Sequence, residues 1–208
     1  MDIFWTPIDG SGPNEVLLSA PLVQWPSSWS PDGRLLVFTE MHPTTGYDIW
    51  LLPLESDRKP QPFLHTSFDE RQVSFSPDGH WLTYTSDESG RDEIYVREFP
   101  GSGQKWQIST EGGSDPVWSP TGQELFYRSS DKMMVVSIMM HPTFTAGRPS
   151  ILFEANYERG IWALPYYDVS PDGQHFVMIK ETEAEAREIN VVLNWFEELK
   201  HLSPRPES

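Results

Sequence analysis

The sequence predicts an all-β protein: a β-propeller of about four to five four-stranded antiparallel blades, incomplete at both ends. Two observations carry this, a turn tetrapeptide that recurs at near-constant spacing and an apolar pattern repeated after every copy. Ser30-Pro31-Asp32-Gly33 returns as Ser76-Pro77-Asp78-Gly79, Ser119-Pro120-Thr121-Gly122 and Ser170-Pro171-Asp172-Gly173, at spacings of 46, 43 and 51 residues. Pro presets φ, Asp accepts bonds from backbone N–H groups, and Gly supplies a positive φ. Each copy is therefore a hairpin turn.

The flanks define the strands. A large apolar residue precedes each Ser: Trp29, Phe75, Trp118 or Val169. After each Gly come the i, i+2 pairs Leu36/Phe38, Leu82/Tyr84, Leu125/Tyr127 and Phe176/Met178, which mark one buried strand face. Third strands follow at 47–52, 93–96 and 134–138, and fourth strands at 62–65, 105–108 and 150–153. Four strands every 40–50 residues describe a blade. One blade is too small to cover both its faces, so neighbours bury them for each other. Trp50 and Tyr95 are expected between blades, and Phe75 and Trp118 nearer the axis.

The predicted organisation is one propeller domain over 1–200, with a half-blade at 2–18, blades at about 25–66, 68–110, 114–154 and 162–195, and a tail at 201–208. Asp2-Ile3-Phe4-Trp5 matches Asp48-Ile49-Trp50-Leu51, so the chain opens at a third strand. The last unit has strands at 167–169, 175–179 and 189–193, then a short helix or tail from Asn194. Unpaired blade edges of this kind favour a homo-oligomer.

Composition narrows the partners. The 15 Lys+Arg against 31 Asp+Glu give a net charge of −16, which repels phosphate backbones and anionic membrane surfaces. Nucleic acid is excluded as an expected partner. With no cysteine there is no disulfide, thiolate metal site or Cys nucleophile. The N-terminal residues have neither the basic nor the apolar region of a signal peptide, and no apolar run is long enough to insert in a membrane.

The Trp/Phe-Ser-Pro-Asp-Gly turn, the apolar strand after it and the Asp-Ile-Trp or Glu-Ile-Tyr strand beyond resemble the TolB-like propeller repeat, also called PD40, a WD40-like repeat. The stretch from Met140 through Glu154, Tyr167 to Gly173 and Ile189 to Trp195 is similar to the C-terminal propellers of bacterial serine/threonine kinase fusions. The resemblance implies a non-enzymatic sensor or scaffold module that binds a protein or peptide, in an extracytoplasmic setting, and it carries over no catalytic residue. The alternatives are the substrate-gating propeller of a prolyl-oligopeptidase-like hydrolase and a fragment of a larger sensor kinase.

No chemistry-bearing motif stands against that reading. The nucleophile elbow Gly-x-Ser-x-Gly is absent, and Asp9-Gly10-Ser11-Gly12 fits a loop between strands. No two histidines are spaced i, i+2 or i, i+4, so no metal and no other cofactor is expected. The acidic segment Ser86 to Glu93 falls where a hairpin is needed and lacks the spacing of a calcium loop. Glu181 to Glu188 is an equivalent loop. Asp32, Asp78 and Asp172 hold turns rather than form a carboxylate ring, since Thr121 replaces Asp in one copy. A site is expected at the channel mouth, where the loops entering each first strand converge and differ between blades. Its candidates are Glu70, Arg71, Asp115, Trp162, Tyr166 and Tyr167, with Phe68, Asp69, Glu111, Ser114 and Arg159 alongside.

Overall fold

A computed structural model describes residues 1–55, 57–101, 103–141, 143–158 and 163–180. Trp162, Arg159, the strand predicted at 189–193 and the helix or tail beyond it lie outside the described residues.

Among those residues the structure is all strand and turn. A two-stranded sheet, β1 (Asp2–Trp5) with β2 (Glu15–Ser19), comes first. Two four-stranded antiparallel sheets follow in simple meander order. One holds β3 (Val23–Trp29), β4 (Leu35–His42), β5 (Gly46–Pro53) and β6 (Gln61–Leu64). The other holds β7 (Glu70–Phe75), β8 (Trp81–Ser86), β9 (Glu93–Glu98) and β10 (Lys105–Gln107). A five-stranded sheet combines β11 (Ser114–Trp118), β12 (Glu124–Ser129), β13 (Lys132–Met139), β14 (Thr145–Ala146) and β15 (Ser150–Glu154). A pair, β16 (Tyr167–Val169) with β17 (Phe176–Met178), ends the described chain.

The third full sheet departs from the single fourth strand expected at 150–153. Both β14 and β15 pair with β13, one along Ile138–Met139 and the other along Lys132–Val135. Phe144 explains the split. It is buried 4.7 Å from the Trp81 ring and 4.8 Å from that of Trp106, both in the preceding sheet. The chain must dip inward to seat it, then return to the edge past Gly147, whose N–H bonds to Ser137 O at 2.8 Å.

Each turn is fastened by its serine as well as its aspartate. In the second copy Ser76 Oγ accepts from Trp81 N at 3.0 Å and donates to Asp78 Oδ1 at 2.5 Å, while Asp78 Oδ1 accepts from His80 N at 3.1 Å. The first and fourth copies repeat these bonds. In the third, Thr121 Oγ1 stands 3.2 Å from Ser119 Oγ and accepts from Gln123 N at 3.4 Å, so the substituted residue keeps the same arrangement. The turns also nest: the Cδ of Pro31, Pro77 and Pro120 lies 3.2, 3.5 and 3.8 Å from where a Cβ would stand on Gly79, Gly122 and Gly173 of the following turn.

Side-chain alternation stacks the sheets. Leu36 and Phe38 cluster with Ile3 and Leu17 of the preceding sheet. Leu82 and Tyr84 cluster with Val37 and Ile49, and Leu125 and Tyr127 with Ile94 and Val96. The intervening residues are buried too, because they face the following sheet: Val37 against Val73 and Phe75, and Phe126 against Tyr167. One large side chain buried this way contributes about 2–3 kcal/mol. Trp50 packs on the first of these seams and Tyr95 lies in the second, stacked on Tyr84 at 5.7 Å. The first strands of successive sheets, β3, β7, β11 and β16, touch in order and form the inner edge. At one end of that edge the turns, with Trp29, Phe75 and Trp118, surround a cavity of about 380 Å³.

Candidate functional site

The opposite end of the inner edge is where β7, β11 and β16 begin, and it gathers most of the predicted site residues. Glu70 and Arg71 open β7, Asp115 is the second residue of β11, and Tyr166 and Tyr167 stand at the start of β16.

A bulge near the start of both β7 and β11 shapes this end. Strand pairing slips between Arg71 and Ser74, and again between Ser114 and Val117. Within each slip one residue takes a left-handed conformation, Gln72 at φ 56° and Asp115 at φ 58°. Both are non-glycine, where this region costs on the order of 1–3 kcal/mol unless the surroundings enforce it. Here each enforces the other. Gln72 Nε2 donates to Asp115 Oδ1 at 2.7 Å, and Gln72 Oε1 accepts from Asp115 N at 2.9 Å and from Thr85 Oγ1 at 2.8 Å. Ser114 Oγ donates to Asp115 Oδ2 at 2.7 Å, and Tyr167 OH donates to Asp115 O at 2.8 Å. Three consecutive sheets are thereby pinned through one buried residue. Burial, with the Asp115 charge adding to it, holds the Tyr167 phenol well above its ordinary range, so it stays a donor.

Asp115 and Tyr167 are thus buried and engaged with the protein itself, while Tyr166 is half-buried. Gln72 was not among the predicted residues. Its one sequence signal is positional: it stands four residues before Ser76, as Asp115 does before Ser119 and Tyr166 before Ser170.

Glu70 and Arg71 sit at the seam with the preceding sheet. Arg71 pairs with Asp92, and its guanidinium lies 5.9 Å from the Tyr47 ring centre. Asp69 accepts from Tyr47 N at 2.9 Å, which ties the same seam. Glu70 is 2% exposed; Thr66 Oγ1 donates to its Oε1 at 2.5 Å, and its buried Oε2 has no partner among the described residues. Burial pushes its carboxyl up to about 7, and the nearby Asp48 and Glu88 add to the rise. In the preceding sheet the equivalent position, six before the turn serine, is Gln24, whose amide donates to Glu40 at 2.8 Å.

Carboxylates predominate at this end. Asp69, Glu70, Asp87, Glu88, Asp92, Glu93, Glu111 and Asp115 gather there; of the nearby bases, Arg71, Arg91 and Lys105 are each held by a carboxylate, and Arg128 is buried opposite Ser114. Phe68, 40% exposed, supplies an apolar surface beside them. Among the described residues no three His, Asp or Glu side chains are placed to hold a metal ion. The surface suits recognition of a polar chain carrying cationic or aromatic side chains.

Comparison with known proteins places this architecture. The model of the TolB beta propeller domain, PD40, matches residues 8–163. An uncharacterized protein of Agrobacterium fabrum is 24% identical over 189 residues, 86% of this chain and 61% of that relative, so the chain spans about three fifths of its length. The solved structure of a protein assigned as TolB from Agrobacterium tumefaciens superposes with a TM-score of 0.66 at 20% identity, over 86% of this chain and 66% of that one. TolB from Acinetobacter baumannii gives a TM-score of 0.61 at 18% identity, over 85% of this chain and 42% of that one. With the family match covering well over half of the residues, on top of the repeated turn and the stacked antiparallel sheets, this chain belongs to the TolB beta-propeller family.

Proposed function

We propose that the chain is a non-catalytic propeller module that binds a protein or peptide across the end of the inner edge where β7, β11 and β16 begin. The observation that carries this is the rigid frame there. Gln72, Asp115 and Tyr167 lock three first strands together, and around that frame stand Phe68, Arg71, Tyr166 and an excess of carboxylates. A preorganised surface binds without the ordering cost that a loose one incurs. Glu70, Arg71, Asp115, Tyr166, Tyr167 and Trp162 are the residues assigned to it. Asp115 and Tyr167 act by holding the frame, and Arg71 and Tyr166 by contact.

The test is panning of the purified chain against a displayed random-peptide library, followed by variants. Selected peptides are expected to lose at least about tenfold in affinity with Phe68→Ala or Arg71→Ala, the size of a buried anchor or charged contact. Trp29→Ala, at the far end of the inner edge, is expected to leave them unchanged. Peptides that bind equally well to all three variants refute the assignment. So does turnover of ester, peptide or glycan substrates that Glu70→Gln or Asp115→Asn abolishes.

A further inference from the structure

A second feature lies away from the inner edge, on the face that the five-stranded sheet turns toward β7–β10. A groove of about 360 Å³ opens there. Its floor follows from strand register. Tyr127 on β12 pairs with Met134 on β13, which pairs with Ile151 on β15, so the three form a row across the sheet, roughly 10 Å wide at ordinary strand spacing. Lys132, two residues before Met134, shares that face. Arg148 stands at the entry to β15, and Glu111 reaches in from the loop after β10.

Three polar groups in this groove have no protein partner among the described residues. Tyr127 is 2% exposed overall and lines the groove, where among the described residues its hydroxyl makes no hydrogen bond. Burial, with the charges of Glu93 and Glu111, pushes that phenol up to about 12, so it remains a donor. Lys132 and Arg148 have no ion pair among the described residues, although Glu154 is the cross-strand neighbour of Lys132. Six other bases, Arg34, Arg58, Lys59, Arg71, Arg91 and Lys105, each hold a carboxylate, and Arg97 lies over the Phe63 ring; Lys132 and Arg148 instead line the same groove.

We infer that this groove is a binding site for a small organic monocarboxylate with an apolar body. The carboxylate would accept from the Tyr127 hydroxyl and lie between Lys132 and Arg148, while the body covers Met134 and Ile151. Acidic neighbours set the charge limit: Glu93 is paired with Arg91, but Glu111 lines the groove and Glu154 flanks Lys132, so a single negative charge is tolerated between Lys132 and Arg148 and a phosphate dianion is disfavoured. The volume is that of a small-ligand site.

The test uses the full chain with phenylacetate as probe, phenylacetamide as its uncharged counterpart and inorganic phosphate as a dianion, followed by titration calorimetry and amide chemical shifts. Phenylacetate is expected to bind about tenfold or more tightly than either of the others, with shifts centred on Tyr127, Met134 and Ile151. Arg148→Ala, an exposed position, should weaken it about tenfold, and Tyr127→Phe, which removes only the hydroxyl, about fivefold. Thermal melting of both variants verifies that they fold. Absence of phenylacetate binding at about 10 mM, equal affinity for phenylacetamide or phosphate, or affinity unchanged in both variants each overturns the inference. None of these readouts involves Phe68 or Arg71, so the site stands or falls apart from the peptide surface.

Discussion

Replacing Glu70 with Gln should stabilise the protein, and only above about pH 5. A carboxyl whose folded-state value is raised contributes stability while protonated and loses it as pH climbs through that value. For Glu70 the window runs from its ordinary value of 4.5 to about 7. Across it the unfolded chain releases the proton readily and the folded chain does not, so the native state of the wild type weakens by up to about 3 kcal/mol. The ceiling applies because the residue is 2% exposed and its Oε2 is unpartnered among the described residues. Gln carries no proton to lose, and Gln24 shows that the repeat accommodates an amide at this position. Thermal or denaturant unfolding of both proteins at pH 5, 6, 7 and 8 measures the effect. The two should nearly coincide at pH 5 and diverge upward, with the variant about 6–12 °C higher in Tm at pH 8. Parallel curves throughout, or a variant that is less stable at pH 8, would refute the idea that Glu70 is a desolvated acid strained by its neighbours.

Other perturbations test the frame and the turns. Gln72→Ala should cost about 2–4 kcal/mol in denaturant melts, because it strands the buried Asp115 and Thr85 groups. In a double-mutant cycle with Asp115→Ala, the coupling should exceed about 1 kcal/mol; additive losses would show that the two bulges are independent. Ser76→Ala should destabilise by about 1–2 kcal/mol, since its hydroxyl serves both Trp81 N and Asp78. Asp78→Thr, which copies the third turn, should stay within about 0.5 kcal/mol of wild type in the same melts. Gly79→Ala should cost more than Gly33→Ala. Both have positive φ, but the added methyl meets Pro31 at 3.2 Å in one case and open space in the other.

What the sequence reveals about this fold is whatever repeats. The Ser-Pro-Asp-Gly copies fix the phase of every sheet, and the Leu/Phe and Leu/Tyr pairs fix which face looks at the preceding one, because period-2 alternation leaves that choice no freedom. Features made by contacts between repeats leave no local trace. Gln72 and Asp115 adopt left-handed backbone although neither is Gly, so composition gives no hint of a bulge there. Phe144 splits the outer strand only because Trp81 and Trp106 wait for it some 40–60 residues earlier. The candidate site was legible as a place and less so as a set of roles. The loops entering the first strands could be found by phase, whereas the burial of Asp115 and the seam that raises Glu70 arise from side chains of other sheets.

The contact that Gly79, Gly122 and Gly173 each make with the proline of the turn before has an evolutionary side. The turns at Gly79, Gly122 and Gly173 share this joint with the turn before, so a duplicated or deleted repeat among them meets a similar surface on both flanks. Ring size in such a chain can drift by whole units without redesign of the joint, while point changes at the glycine or the proline are felt in two repeats at once.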